Sequence, residues 1–243
     1  LDGTLFPYTT LFRSYLAKLV HFLGKHPHVA SVAGKLMYWD FAEGRKTDII
    51  DSFGLKINRQ RKVCDWASGE KDFVLDNQEV FGLSGALALF RRKALAMVAQ
   101  QLPDGHWEYF DEDFFAYKED IDLAWRLRCA GWQNWLLTDA YAWHHRTVSV
   151  GGARKNRGLA NKLSYRNHLL TLYKNSFFKD VLHDFWQIFF YESGKFLYLL
   201  LFERSSLLGL REFWRLWSKF RKKRKFIFKY RQVESADINR WFK

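Results

Sequence analysis

Residues 110–132 read FDEDFFAYKEDIDLAWRLRCAGW and join an acidic, aromatic loop to the start of a helix. Glu119, Asp120 and Asp122 stand at the head of apolar residues spaced for one helical face, and Gly131 is typical of the position just past a helix end. Carboxylates in a first helical turn interact favourably with free N–H groups and the helix dipole. Two interpretations stay open: the acids cap a solvated helix, or one of them accepts a proton or binds a ligand.

The flanking segments alternate between strand-like and helix-like patterns. Residues 15–24 follow the helix period, and residues 29–39 (VASVAGKLMYW) are apolar enough for a buried strand. Residues 79–100 (EVFGLSGALALFRRKALAMVAQ) predict a strand, a small-residue segment, a second strand and a short helix. Residues 134–145 (NWLLTDAYAWHH) predict two short strands. This alternation predicts an α/β layer fold.

Composition excludes several classes of protein. The 243 residues are 48% hydrophobic and 19% aromatic, which argues against intrinsic disorder. Cys64 and Cys129 form no CxxC pair, so a disulfide framework or cysteine metal site is not expected and a reducing compartment is favoured. The net charge of +13 predicts an anionic partner. No apolar run approaches the roughly 20 residues of a spanning helix, so no transmembrane segment is predicted.

Two histidines end the segment DAYAWHHRTVS, residues 139–149. Neighbouring residues of a strand point to opposite faces, so His144 and His145 cannot both face one site. A lone histidine is usually structural. If folding brings one of them to an acidic cluster, it could instead bind a metal.

Three motifs in this order resemble the second half of a family 2 glycosyltransferase with a GT-A fold. They are VFGLSGALALFRRKAL (80–95), FDEDFFAYKEDIDLAWRLRCAGW (110–132) and LTDAYAWHHRTVS (137–149). The subgroup that the chain resembles is the bacterial rhamnosyltransferase-like one, and NKLSYRNHLLTLYKN (161–175) carries the Arg-Asn pair often found there. The resemblance covers roughly residues 15 to 175. It implies an α/β fold, the C-terminal part of a nucleotide-diphospho-sugar transferase (GT-A) fold with a C-terminal helical appendage.

The resemblance also implies roles for individual residues. Asp120 would be the general base of an inverting displacement, deprotonating the acceptor hydroxyl that attacks a nucleotide sugar. Glu119 would support it or bind the acceptor, and Asp122 is a further substrate-binding candidate. His144 would complete the site of a divalent cation, Mg²⁺ or Mn²⁺, which neutralises the leaving diphosphate.

The GLSGA segment would lie beside the donor sugar and the acceptor, where small residues allow close backbone approach. Its substrate-binding candidates are Gly82, Ser84, Gly85 and Ala86. The partners implied are a nucleotide diphosphate sugar donor, with rhamnose as the candidate sugar, and a glycan or glycolipid acceptor. The acceptor would be a cell-surface polysaccharide or a polyprenyl-linked glycan.

The first residues suggest that the chain is a piece of a longer protein. TLFPYTTLFRS, residues 4–14, reads as the translation of a common sequencing adapter, so we expect residues 1–14 not to be native. Residues 15–175 would be a partial GT-A domain, the acceptor and metal half. The nucleotide-binding half and its Asp-x-Asp metal motif are expected to be missing from the chain. We therefore expect the parent to be an enzyme and this chain alone to be inactive.

Residues 176–243 form a helical, basic and aromatic region. One predicted helical face carries Phe213, Trp214, Leu216, Trp217 and Phe220, and the basic run RKKRK follows it. Such a helix suits an anionic membrane surface, and the protein would be cytoplasmic, peripheral at the inner face of a bacterial plasma membrane.

Other interpretations of this region and of the whole chain remain open. The helix could pack on its own domain or on a second subunit. Basic patches with interleaved aromatic residues can also bind single-stranded nucleic acid, although no nucleic-acid partner is expected here. The alternative functions are a non-catalytic nucleic-acid-binding protein with a basic tail and a degenerate transferase acting as a binding module.

Overall fold

The structure is a computed structural model that describes residues 5–40, 42–102, 104–144 and 157–243. The helices are α1 (Leu5–Lys25), α2 (Arg92–Val98), α3 (Glu119–Cys129), α4 (Arg157–Asn175), α5 (Phe178–His183), α6 (Phe185–Phe202), α7 (Leu208–Tyr230) and α8 (Ser235–Asn239). The strands are β1 (Val29–Asp40), β2 (Arg45–Ser52), β3 (Leu55–Ile57), β4 (Val63–Asp65), β5 (Gln78–Val80), β6 (Leu89–Phe90), β7 (Gln100–Gln101), β8 (Trp107–Glu108) and β9 (Gln133–His144).

The chain divides into two compact units. The first contains residues 1–56, 64–95 and 132–150, and the second contains residues 57–63, 96–131 and 151–243. Helices and a mixed sheet occur together, so the predicted α/β class is confirmed.

The first unit is built on a mixed sheet in the order β2-β1-β9-β5. The central strand β1 runs parallel to β9 along one edge and antiparallel to β2 and β6 along the other. Strand β5 is antiparallel to β9. The apolar segment predicted as a buried strand is therefore the centre of this sheet.

Both faces of the sheet are covered, which explains why β1 is apolar at nearly every position. Ala33 and Leu136 belong to the core on one face. Val32 and Leu137, their sequence neighbours, belong to the core on the other face, where α1 contributes Leu19. Successive strand residues point to opposite faces, so two cores need two apolar sets on each strand.

Strand β9 corrects one sequence expectation. The segment predicted as two short strands is one strand with an irregularity, because its pairing jumps from Gly34–Leu137 to Lys35–Tyr141. The backbone at the irregularity approaches Gly34 so closely that a Cβ there would lie 2.2 Å from the carbonyl oxygen of Ala140. Only glycine fits at this position of β1.

The second unit is mainly helical. Phe114, Leu170 and Phe220 are fully buried together, so the loop before α3, helix α4 and helix α7 share one core. Helix α3 begins at Glu119, and Gly131 follows its end with φ of +80°, so the predicted helix start and glycine stop are both confirmed. Among the described residues, no helix combines the length and apolar character that crossing a bilayer requires.

Candidate active site

In the second unit a strained loop leads into the first turn of α3, which carries Glu119 and Asp120. Phe115, Tyr117 and Lys118 have φ of 62°, 69° and 70°, values that non-glycine residues rarely adopt. Each such residue costs on the order of 1–3 kcal/mol, and the cost persists only where surrounding contacts hold the backbone. Such strain is concentrated at functional sites in proteins, which makes this loop a candidate.

Asn167 and Arg166 of α4 hold this loop. The buried Asn167 donates from Nδ2 to the carbonyl oxygens of Phe114, Ala116 and Tyr117, at 3.0, 2.8 and 2.8 Å. Its Oδ1 accepts from Nε of Arg166, at 2.9 Å, and this bond fixes which end of the amide faces the loop. Arg166 Nη2 donates to the carbonyl oxygen of Phe114, at 3.0 Å. The Arg-Asn pair noted in the sequence therefore positions the turn that presents the candidate base.

The two acids differ in their surroundings. Asp120 Oδ1 accepts from the backbone N–H of Ile121, at 2.8 Å. Burial raises the pKa of Glu119, and the charge of Asp120 raises it further, although a backbone hydrogen bond opposes this. Glu119 Oε2 is buried and has no hydrogen-bond partner among the described residues. An unsatisfied buried carboxylate oxygen next to Asp120 can accept a hydrogen bond from a substrate hydroxyl.

A buried histidine–glutamate pair belongs to the same unit. His168 Nε2 donates to Glu192 Oε1, at 2.5 Å. Burial lowers the pKa of His168 to about 4, although the bond to Glu192 opposes the shift, so the ring is neutral at pH 7. Sequence reasoning missed this pair. Its only signal was a single acid, Glu192, within an aromatic helix.

Two lysines act on this pair electrostatically. Burial lowers the pKa of Lys195 to about 8, against the attraction of Glu192 and with the repulsion of Lys118. Burial likewise lowers the pKa of Lys118, against the attraction of Asp120 and Glu192. The positive charge of Lys118 therefore attracts Asp120, the candidate base.

Asp122 lies elsewhere on α3 and is fully buried. It accepts from Nε of Arg126 at 2.9 Å and from Nδ2 of Asn175 at 2.8 Å, and Lys174 pairs with it at 2.8 Å. These contacts account for its burial, and its predicted contact with substrate stays a prediction.

The end of β8 and the loop between β8 and α3 carry an acidic trio, Glu108, Asp111 and Asp113, whose carboxylate oxygens lie within 4.8 Å of one another. The ammonium group of Lys223 pairs with all three, at 3.0, 2.6 and 2.9 Å. Lys174 also pairs with Asp111. Burial raises the pKa of Asp111, but the lysine charges outweigh it and bring the value to about 2. A lysine therefore occupies the place that the geometry would otherwise offer to a metal.

His144, the predicted metal ligand, lies in the first unit at the end of β9 and is half-buried. Its Nδ1 donates to Oδ2 of Asp51, at 2.8 Å, and the Asp51 side chain is fully buried. Metal-ligating histidines commonly donate their second ring N–H to a carboxylate in this way, which leaves Nε2 free to bind. The pair therefore fits one ligand of a metal site. Sequence reasoning did not identify Asp51, 93 residues away, as the partner of His144. His145, the neighbour of His144 in the sequence, lies outside the described residues.

The GLSGA segment is a loop of the first unit that follows β5. Gly82 is buried and bridges to Leu55, whereas Ser84 is half-buried and Gly85 and Ala86 are exposed. The loop offers the small exposed residues that the prediction requires. Its binding to substrate stays a prediction.

Comparison with known proteins gives a partial match. No family model matches the chain. Two curated proteins, from two strains of Mycobacterium tuberculosis and each named N-acetylglucosaminyl-diphospho-decaprenol L-rhamnosyltransferase, are 35% identical over 88 residues. The match covers 35% of this chain and 26% of each relative, so the chain spans about a quarter of the length of the curated relatives it matches. This similarity supports a glycosyltransferase-like relationship.

Proposed function

We propose that the chain is part of a glycosyltransferase that moves a sugar, with L-rhamnose as the candidate, from a nucleotide diphosphate sugar to a polyprenyl-linked glycan. The observation that carries the proposal is the strained turn held by Asn167 and Arg166, which presents Glu119 and Asp120. The partial similarity to the mycobacterial rhamnosyltransferases supports the choice of donor and acceptor. We further propose that the enzyme belongs to glycosyltransferase family 2 and has a GT-A fold.

In the proposed reaction Asp120 accepts the proton of the acceptor hydroxyl as that oxygen forms a bond to the anomeric carbon. The bond from this carbon to the nucleoside diphosphate breaks on the opposite side, so the configuration inverts. Glu119 accepts a hydrogen bond from the acceptor sugar and orients it. When bound, Mg²⁺ or Mn²⁺ would neutralise the leaving diphosphate, and His144, oriented by Asp51, is the ligand proposed from this chain.

Transfer of L-rhamnose to a synthetic N-acetylglucosaminyl-diphospho-lipid tests this proposal. The assay compares the chain itself with a version extended at its N-terminus by the upstream coding sequence. We expect product from the extended protein, no product from the 243-residue chain, and loss of product in Asp120→Asn. An extended protein that folds and binds the nucleotide sugar but transfers no sugar to any lipid-linked glycan would refute the assignment.

We propose peripheral membrane association, through a surface to which helix α6 contributes exposed aromatic side chains. Phe220 of the predicted apolar face is fully buried with Phe114 and Leu170, which favours the alternative of packing on the same domain. Trp214 of the predicted face is nevertheless 65% exposed, and further exposed aromatic side chains lie on α6, where Trp186 is 63% and Phe190 is 66% exposed. Aromatic and aliphatic side chains of this kind suit a membrane interface.

Flotation with phosphatidylglycerol vesicles tests the membrane proposal. We expect the wild-type chain to float and Trp186→Ser/Phe190→Ser to remain in the soluble fraction. Equal flotation of the two proteins would rule out the α6 surface, and a shift of labelled oligonucleotide in a gel would favour the nucleic-acid alternative.

A further inference from the structure

The second unit contains a cavity of about 420 Å³ that has no role in the proposed chemistry. Its walls are apolar and come from α4, α5 and α6, through residues that include Leu172, Val181 and Ile188. Volumes of 300–1,000 Å³ are usual for small-molecule sites. Phe178, which also lines the cavity, is 69% exposed, so the cavity is continuous with the exposed apolar surface of α5 and α6.

One arginine in the wall of the cavity, Arg224, forms no ion pair with a carboxylate of the described residues. Arg224 of α7 donates only from Nη1, to the carbonyl oxygen of Tyr173 at 2.6 Å and, more weakly, to that of Lys174 at 3.5 Å. Its Nε and Nη2 have no hydrogen-bond partner in the part of the chain that the structure describes. The other arginine of the wall, Arg61, is bound by Asp184 at 2.8 Å and is not available.

A second cation, Arg231, contacts the same aromatic ring as Arg224. The guanidinium groups of Arg224 and Arg231 lie 4.3 and 5.6 Å from the centre of the same ring, that of Phe228. No carboxylate of the described residues forms an ion pair with Arg231. Asp180 accepts hydrogen bonds from the neutral side chains of Ser235 and Asn239, and Asp184 forms an ion pair with Arg61. Arg224 therefore places a positive charge in the wall of the apolar cavity, and Arg231, which does not line the cavity, contacts the same aromatic ring.

We propose that this cavity binds the lipid part of the acceptor, a polyprenyl diphosphate. The diphosphate lies against Arg224 and Arg231, where the planar guanidinium groups suit phosphate oxygens. The first isoprene units occupy the apolar cavity between Leu172, Val181 and Ile188. The rest of the chain leaves past Phe178 along the exposed face of α6. The choice of polyprenyl over other lipids rests on the proposed function.

Calorimetric titration of the 243-residue chain with farnesyl diphosphate tests the site without a sugar donor. Farnesol and inorganic pyrophosphate are the comparison ligands, and we expect each to bind at least tenfold more weakly than the complete amphiphile. Arg224→Gln should weaken binding at least tenfold. Arg221→Gln removes the same charge from an exposed position of the same helix, and should change binding less than twofold.

A substitution in the cavity wall distinguishes the contribution of the cavity to binding from that of the arginine charge. Val181→Trp fills the cavity and should abolish binding of farnesyl diphosphate while leaving the thermal unfolding midpoint near that of wild type. Arg231→Gln replaces Arg224→Gln if the latter fails to fold, and should weaken binding similarly.

Three results of the titrations would overturn the inference. Pyrophosphate binding as tightly as farnesyl diphosphate would mean a plain anion patch, and unchanged affinity in Val181→Trp would mean adsorption outside the cavity. Dihexanoyl phosphatidylglycerol binding equally tightly would mean a bilayer lipid site. No sugar is transferred in the titration, so its result does not depend on the glycosyltransferase proposal. Sugar transfer by a protein that does not bind farnesyl diphosphate would overturn the cavity assignment and leave the proposed function standing.

Discussion

Replacement of Asn167 by alanine should lower the free energy of unfolding and displace Asp120, the candidate base. The amide of Asn167 bonds three carbonyl oxygens, but that of Phe114 also accepts from Arg166 at 3.0 Å and from the N–H of Ala116 at 2.7 Å. The loss therefore falls on the carbonyl oxygens of Ala116 and Tyr117. A buried polar group left without a partner costs about 1–3 kcal/mol. The free energy of unfolding should fall by roughly 2–6 kcal/mol for the two groups.

Asn167→Ala should also change the conformation of the loop before α3. Without the amide, the positive φ angles of Phe115, Tyr117 and Lys118 are no longer held, and the loop relaxes toward ordinary backbone. Amide hydrogen exchange of Ala116 and Asp122 should therefore become faster. In the extended enzyme, sugar transfer should fall because Asp120 moves, while affinity for the nucleotide sugar stays the same.

Urea denaturation with exchange measured by mass spectrometry provides the assay. Asn161→Ala is the matched control, because it removes the same side chain from a half-buried position of the same helix. It should change the free energy of unfolding by less than about 0.5 kcal/mol. If Asn167→Ala matches this control in both stability and exchange, Asn167 does not hold the loop.

Asp120→Asn in the extended enzyme should reduce transfer roughly 10²–10⁴-fold at unchanged donor affinity, since it removes basicity but keeps size; a raised donor KM with normal kcat would make Asp120 a binding residue. Asp51→Asn should raise the Mn²⁺ concentration needed for activity about 10–100-fold, because the histidine loses its orienting carboxylate, whereas the exposed Asp48→Asn should not. The pKa of His168, about 4, lies below the ordinary 6.5, so its contribution to stability is complete above pH 6.5 and is lost as the pH falls toward 4. His168→Gln should remove this acid lability in pH-dependent urea melts, and the exposed His183→Gln should keep it.

The parts of the fold that sequence reasoning predicted correctly depend on local signals. The first turn of α3 and its stop at Gly131 follow from acids, helical spacing and a glycine within one short segment. The apolar run of β1 indicates a buried strand whatever its neighbours are. Strand β9 was misread as two strands because Thr138 and Asp139 look like a turn. The pairing with β1 continues past them, and this depends on contacts about 100 residues away.

The candidate site was predictable only in part, for the same physical reason. The Arg-Asn pair was visible in the sequence, but its bonds to the loop before α3 span about 50 residues. The partner of His144 lies 93 residues earlier, and nothing in the sequence near Asp51 distinguishes it from other acids of β2. Residue type predicts which chemistry is available, whereas burial and pairing, which shift a pKa, appear only after folding.

The acidic trio illustrates this limit, because its geometry suggests a metal site, whereas Lys223, more than 100 residues later in sequence, pairs with all three acids. Burial lowers the pKa of Lys223, but the pairing with Asp111 and Asp113 outweighs it and raises the value above the usual range. Lys223→Met keeps the length of the side chain and removes the charge. Breaking a buried ion pair by removing one partner costs about 3–5 kcal/mol, so the variant should lose about that much stability at pH 7.

The pH dependence of that loss distinguishes charge from packing. In the wild type the pKa of Asp111, about 2, lies below the ordinary value of 3.8, so its stabilising contribution is present above pH 3.8 and lost as the pH falls through 2. In Lys223→Met the uncompensated carboxylates repel each other, which raises their pKa above the ordinary value, and stability is then lost as the pH rises. The stability deficit of the variant should therefore shrink as the pH falls from 7 to 4.

The matched control is Lys219→Met, which removes a lysine that is 52% exposed and also pairs with Asp113. It should cost less than about 1 kcal/mol at either pH. A deficit of equal size at pH 7 and pH 4 would mean that Lys223 acts through packing and that its charge is not what holds the loop before α3 in place.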